Sequence, residues 1–274
     1  MNSIDPQHKN HPGILISILL LAITICFTVF SLAPRLTKTN LLPEVYYSAL
    51  LDAEQISSDE ISTNLTAIVK DNPNIQWQGD RLKVSTYAKP KYFEVGSHQT
   101  TSREVWVTVV PELQNFCTNY AQTGQEISPR IEQLLGLAPS HQPAKSIVEL
   151  WVDAKDLFRP TPDPEISDHE AELAFRPANN FLRVSPEYQD WFNSRLNEFE
   201  SQLKEMNPDH PAVPWTRLGY TYDWGESTNH VGLSEFVLSK GAELEVESVS
   251  TVDNYCRGTE AVAQTKSVEL AFDN

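Results

Sequence analysis

The sequence predicts an α+β protein, in which an N-terminal transmembrane helix precedes a mixed, largely antiparallel sheet domain with packed helices. Three observations carry that expectation. Ile14 to Ala33, ILISILLLAITICFTVFSLA, holds twenty residues without a charge; at 1.5 Å per helical residue it spans about 30 Å, the thickness of a bilayer's hydrocarbon core. Two later runs, Glu104 to Val110 (EVWVTVV) and Ile147 to Val152 (IVELWV), have the apolar, β-branched character of buried strands. Strand signals also collect before and after a central group of helical ones, which suits α+β better than a regular βαβ series.

Pro12-Gly13 and Pro34 bound the apolar run sharply. Cleavage as a signal peptide is disfavoured because Pro34 would follow the cut. Residues 1–38 therefore read as a short tail and a membrane anchor, and 39–274 as a soluble domain whose first part, 39–100, is a stem and hairpin region. Within that part, Leu42 to Glu54 and Ser58 to Lys70 read as helices, the second with Ser58 as N-cap and Asp59-Glu60 in its first turn. Ile75 to Trp77, the Gly79-Asp80 turn and Arg81 to Tyr87 form a hairpin pattern. Lys89 to Ser102 is loop-like.

After the EVWVTVV strand, Pro111 opens a helix. Ser128-Pro129 repeats that start before Ile131, Leu134 and Leu135, and Gly136 stops it. Asp156 to Arg176 is acidic and proline-rich, hence a long loop. Ser185-Pro186 begins the longest helix, to about Met206, with Tyr188, Phe192, Leu196, Phe199 and Leu203 at helical spacing as a core stripe. Strands return at Leu218 to Trp224, at Val231 to Leu238 turning at Lys240-Gly241 into Glu243 to Ser250, and at Ser267 to Phe272.

The chain's formal charge is −16. Its first 38 residues hold three basic residues and one acidic one, so the remainder carries 18 basic against 36 acidic residues, or −18. Such a domain repels phosphate backbones, which disfavours nucleic acid and favours cationic or neutral partners. Arg35 and Lys38 flank the span on one side and only Lys9 on the other, so a bare positive-inside count places the large domain in the cytosol by a margin of one. Cysteine usage points the other way. Cys117 and Cys256, well separated and outside any Cys-x-x-Cys, suit one disulfide in an oxidising compartment, with two unrelated buried thiols as the alternative. The outer face is the expected side.

There is no Gly-x-Gly-x-x-Gly, phosphate loop, nucleophile elbow or His-Glu-x-x-His, so no cofactor is expected. Asp163, Glu165, Asp168, Glu170 and Glu172 surround His169. Clustered carboxylates suit calcium, but a solvated acidic face is the reading such runs favour. In PWTRLGYTYDWG, Trp215, Arg217, Tyr220, Tyr222, Asp223 and Trp224 combine stacking surfaces with directional polar groups. That mixture fits a sugar or peptide platform, and fits a sheet's core equally well. Asp223 with Glu235 would supply the paired carboxylates of a glycan hydrolase. A Cys117 nucleophile with His169, His210 or His230 ranks below these, because a disulfide to Cys256 would abolish it.

Two resemblances add to this. Arg103, Tyr220-Thr221-Tyr222 and Glu235 follow the order in which ADP-ribosyltransferase-like enzymes place an arginine, a polar strand triplet and a glutamate around NAD. The triplet departs from Ser-Thr-Ser, and Leu233 stands where Glu-x-Glu would have its first carboxylate. The blocks VWVTVVPELQNFC, ELWVDAKDLFRPTPDPEISDHEAEL, PWTRLGYTYDWG, GLSEFVLSKGA and NYC are similar to those of an uncharacterised family of bacterial envelope-type proteins, over about Glu104 to Cys256. The resemblance carries no assigned activity. It implies cysteines in relatives at the positions of Thr161 and Ala171, hence a second cross-link absent here. The expected function is a non-enzymatic domain anchored in a bacterial inner membrane and facing the periplasm. It would bind a protein or glycan partner through PWTRLGYTYDWG; an envelope enzyme using NAD or hydrolysing glycans is the alternative.

Overall fold

A computed structural model describes residues 42–139, 146–175 and 184–258. The Ile14–Ala33 span and the Ser267–Phe272 strand lie outside the described residues. Among those described, no helix is long and apolar enough to cross a membrane.

The elements in chain order are helix α1 (Glu44–Glu54), strands β1 (Trp77–Gln78), β2 (Arg81–Ala88), β3 (His98–Thr100) and β4 (Val105–Val109), and helices α2 (Glu112–Ala121) and α3 (Ile127–Leu134). Strands β5 (Ser146–Asp153) and β6 (Leu157–Phe158) follow, then helix α4 (Pro186–Glu205). Strands β7 (Tyr220–Tyr222), β8 (Val231–Ser234), β9 (Phe236–Leu238) and β10 (Glu243–Thr251), and helix α5 (Val252–Arg257), complete the domain. The main sheet runs β3-β10-β5-β2-β4-β9-β6 with β1 added to β2, and β7-β8 form a separate ribbon. Every pairing among the described strands is antiparallel. The α+β class with a largely antiparallel sheet is thus the observed one.

Alternation along the strands sorts the two faces. Leu82 and Val84 of β2, Val148, Leu150 and Val152 of β5, and Leu244 and Val246 of β10 join Phe236 and Leu238 in the main core. On the other face Ile147 packs under α2, α3 and α5, against Leu113, Ile131, Val252 and Tyr255. The rest of that face meets water as a charged ladder, with Arg81 on Glu245 at 2.6 Å, Lys83 on Glu247 at 3.4 Å and Lys83 over the Trp151 ring at 4.9 Å. Cys117 of α2 and Cys256 of α5 form a disulfide with Cα atoms 5.0 Å apart, inside the reach of such a bond. This pairing removes Cys117 as a nucleophile.

A third cluster joins α1 to α4: Tyr46, Ala49, Leu50 and Ala53 pack with Phe199 and Leu203. Helix α4 begins as its sequence implies, with Ser185 Oγ accepting from Tyr188 N–H at 3.2 Å and Pro186 in the first turn, and it ends at Met206 in the left-handed region. Of its predicted stripe, Phe192, Phe199 and Leu203 are buried, and Tyr188 and Leu196 half-buried.

Two expectations are corrected. Ser58 to Lys70 is not a helix; only Ser58–Glu60 form a 3-10 turn. The rest runs irregularly because its backbone finds partners elsewhere: Leu65 N–H donates to His169 O at 3.0 Å and Ile68 N–H to Ile166 O at 2.7 Å, and Thr66 N–H to Ser234 Oγ at 2.8 Å. Val231 to Leu238 is not one strand. At its middle Ser234 N–H turns to the Glu112 carboxylate at 3.0 Å and Glu235 N–H to Gly219 O at 2.9 Å, so β8 stays with the ribbon and β9 joins the main sheet.

Candidate functional site

The PWTRLGYTYDWG block is the β7 arm of the ribbon and its flanks, and the structure turns its aromatic groups inward. Trp215, Tyr220, Tyr222 and Trp224 are each 8 % exposed or less. Trp215 lies against Phe192 at 5.1 Å and Trp224 edge-on to Tyr46 at 5.5 Å. Two of their polar atoms serve neighbouring backbone: Trp224 Nε1–H donates to Leu137 O at 3.0 Å and the Tyr220 hydroxyl to Glu60 O at 3.0 Å. The Tyr222 hydroxyl donates to Asp52 at 2.7 Å, and burial together with that carboxylate pushes the phenol upward. No indole or phenol face of these four is left for stacking a sugar, so the platform expected from sequence is a core element.

Arg217 has a structural post too. It takes a left-handed φ of 57°, and its guanidinium donates to the terminal carbonyls of α1, Ala53 O at 2.7 Å and Glu54 O at 3.0 Å. A cation there answers the negative end of the helix; burial lowers its pKa. Asp223 is held by Arg130 of α3 in a two-pronged pair, with Nη1 to Oδ1 at 2.8 Å and Nη2 to Oδ2 at 2.5 Å. Its Oδ1 also accepts from Gly225 N–H at 3.0 Å.

The ribbon's register separates the hydrolase pair. Asp223 N–H meets His230 O and Glu235 N–H meets Gly219 O, both at 2.9 Å. The two acids therefore sit four residue steps apart on the β7 arm, roughly 13 Å, beyond the separations of about 5 to 10 Å that glycoside hydrolysis uses. Register separates the NAD pair as well. Val105 faces Leu238 and Val107 faces Phe236, which puts Glu235 opposite Thr108, five steps or roughly 17 Å from the exposed Arg103. In the triplet, Thr221 is consumed inside the fold, its hydroxyl donating to Leu134 O at 2.6 Å and accepting from Leu233 N–H at 2.9 Å.

Glu235 itself is the strongest acid anomaly: burial without a compensating charge pushes its carboxyl from 4.5 up to about 8. The unfolded chain ionises near the ordinary value while the folded one keeps its proton. The destabilisation from Glu235 is therefore absent below about pH 4.5 and grows toward pH 8, by about 1.4 kcal/mol per pH unit at most. Glu235→Gln should remove that slope in urea titrations between pH 5 and 8; an unchanged slope would show that Glu235 is not its source. A second half-buried acid, Glu112 at the start of α2, is also raised by loss of solvent while accepting hydrogen bonds from the Thr66 hydroxyl and Ser234 N–H. Sequence reading missed Glu112, because only the fold brings Thr66 and Ser234 to it.

The acidic loop does not gather its carboxylates. Asp168 turns in on the fully buried Arg159, which also donates to Glu170 O at 2.8 Å and to Thr66 O at 3.3 Å. Glu165 accepts from Ser167 N–H at 2.6 Å, and Asp163 Oδ1 from Glu165 N–H at 3.2 Å. Among the described residues no group of three His, Cys, Asp or Glu could hold a metal ion. Asp163, Glu165, Asp168 and Glu170 thus form a loop that Arg159 clasps to the 65–68 segment. Thr161 and Ala171 are both buried on that loop.

This clasp borders a groove of about 590 Å³ between residues 63–74 and His169. Its walls include Thr63, Asn64, Val69, Asp71, Asn74 and His169. His169 Nδ1 is engaged with Leu65 O at 2.7 Å, leaving Nε2 for other partners. No protein-family model, curated protein or solved structure matches the chain. The groove's chemistry is therefore read from its own residues. Of these only His169 stood out in sequence; the polar clusters Ser62-Thr63-Asn64 and Asp71-Asn72-Pro73-Asn74 are the kind of loop signal that could have marked the rest.

Proposed function

We propose that this protein is a membrane-anchored, ligand- or partner-binding domain of the bacterial envelope, tethered by Ile14–Ala33 and facing the periplasm. The observation that carries the reading is the Cys117–Cys256 disulfide, both of whose cysteines are wholly buried, since such bonds persist in oxidising compartments. The uncharged twenty-residue run supports the tether, and the resemblance read in the VWVTVVPEL, DLFRPTPDPEI, PWTRLGYTYDWG and GLSEFV blocks implies the same address. The acidity of the domain supports a neutral or cationic partner rather than nucleic acid.

The test is topological. Full chains carrying C-terminal alkaline phosphatase or green fluorescent protein should sediment with membranes and resist carbonate extraction, with active phosphatase and dark fluorophore. Cys117 and Cys256 should resist maleimide labelling until reduced. Fluorescent fusions with inactive phosphatase would overturn the reading.

A further inference from the structure

We propose that the groove between residues 63–74 and His169 binds a neutral oligosaccharide; the inference rests on the ligand-binding reading above and names its ligand class. The groove's volume, about 590 Å³, falls within the range of roughly 300 to 1,000 Å³ typical of small-molecule sites. Its walls are stitched together before any ligand arrives. Leu65 N–H reaches His169 O at 3.0 Å and Ile68 N–H reaches Ile166 O at 2.7 Å. Asn72 braces the far wall, Nδ2–H donating to Ala67 O at 2.8 Å and Oδ1 accepting from Asn74 N–H at 3.0 Å. A preformed site loses less entropy on binding.

The same bonds decide between a glycan and a peptide. Several of the wall's backbone N–H groups are spent internally: Asn64 on Ser62 Oγ, Thr66 on Ser234 Oγ, Val69 on Ala67 O and Asn72 on Val69 O. Residues 63–74 contain no strand, so main-chain recognition of a peptide by β-augmentation has no template in this wall. Recognition falls to side chains. The Asn64 and Asn74 amides each pair a donor with an acceptor, the Thr63 hydroxyl does both, and the Asp71 carboxylate and His169 Nε2 accept. That set matches adjacent sugar hydroxyls, which also donate and accept, while Val69 and Pro73 offer C–H surface to a ring. Charge excludes an acidic ligand. Asp71 is the only charged residue lining the groove, and the adjacent Lys70 is drawn away to Gly79 O and Asp80 and over Trp77, so no cation is offered to an acidic sugar.

The experiment uses the full chain in detergent on a printed array of tetrasaccharides: β-1,4-linked glucose, β-1,4-linked N-acetylglucosamine and a uronic-acid tetramer. At least one neutral tetramer should bind, the uronic-acid tetramer should not, and Asn64→Leu/Asn74→Leu should weaken binding at least tenfold with an unchanged melting curve. Glu187→Gln, on the exposed face of α4, should bind as the parent does. No neutral binding, equal binding by the double variant, or preference for the uronic-acid tetramer overturns the proposal. The two readings fail separately: periplasmic fusions with no glycan binding defeat only the ligand assignment, and cytosolic fusions with glycan binding defeat only the anchoring.

Discussion

Arg130→Met should cost about 3–5 kcal/mol of stability, the usual penalty for removing one partner of a buried ion pair. The side chains of Arg130 and Asp223 are 12 % and 6 % exposed, and the guanidinium also covers the Phe116 ring at 4.8 Å. Methionine keeps much of that packing but leaves the Asp223 carboxylate inside the fold with only Gly225 N–H to stabilise it. Arg130→Met/Asp223→Leu should recover much of the loss, because an apolar pair needs no mutual charge compensation. Urea unfolding of the parent, both single variants and the double variant completes the cycle. Equal stability of Arg130→Met and the parent would return Asp223 to the list of carboxylates available for chemistry.

Loss of the disulfide should be of similar size. Cys117 and Cys256 are 139 residues apart, and closing so long a loop in the unfolded chain accounts for about 3–5 kcal/mol. A domain of this size should then melt roughly 10 °C lower after Cys117→Ser, or after reduction of the unfolded parent. The loss should concentrate where α2, α3 and α5 cover the sheet, since Leu113, Ile131 and Val252 pack around the sulfurs. Hydrogen exchange reads this directly: faster exchange in α5 and α2, with a smaller change in the α1–α4 layer, is the expected pattern. An unchanged melting temperature in Cys117→Ser would dismiss the bridge as a stabilising element, and with it the argument for an oxidising compartment.

Both effects arise from contacts of different legibility. The cysteine pair could be read from the chain because its soluble part holds two cysteines and no metal-type spacing. Arg130 and Asp223 could not be paired, since 93 residues separate them and nothing local distinguishes Arg130 from any helical arginine. The PWTRLGYTYDWG block misled for a related reason. Aromatic residues between polar ones look alike whether their faces meet a sugar or meet Phe192 and Tyr46, and only the second helix layer tells which. Ser58 to Lys70 misled through its start signals at Ser58, Asp59 and Glu60, which did form a turn, though Ser57 rather than Ser58 caps it. The turn stopped because Leu65, Thr66 and Ile68 gain partners in His169, Ser234 and Ile166, and these outweigh helix propensities of a few tenths of a kcal/mol per residue.

By itself, the sequence determined what depends on near neighbours: the α+β class, the hairpin at Gly79-Asp80, the buried strands β4 and β5, and helix α4 with its cap and stripe. These follow from periods of 2.0 and 3.6 residues and from turn and capping chemistry, all expressed within a dozen positions. The tertiary structure alone decided which polar groups are spent and which remain. Asp223, Arg217 and the four aromatics of the ribbon are consumed in holding the fold. Asn64, Asp71 and Asn74 are left facing a groove. A side chain's availability depends on who sits opposite, and in an antiparallel sheet crossed by long connections that neighbour is set by strand order rather than by position in the chain.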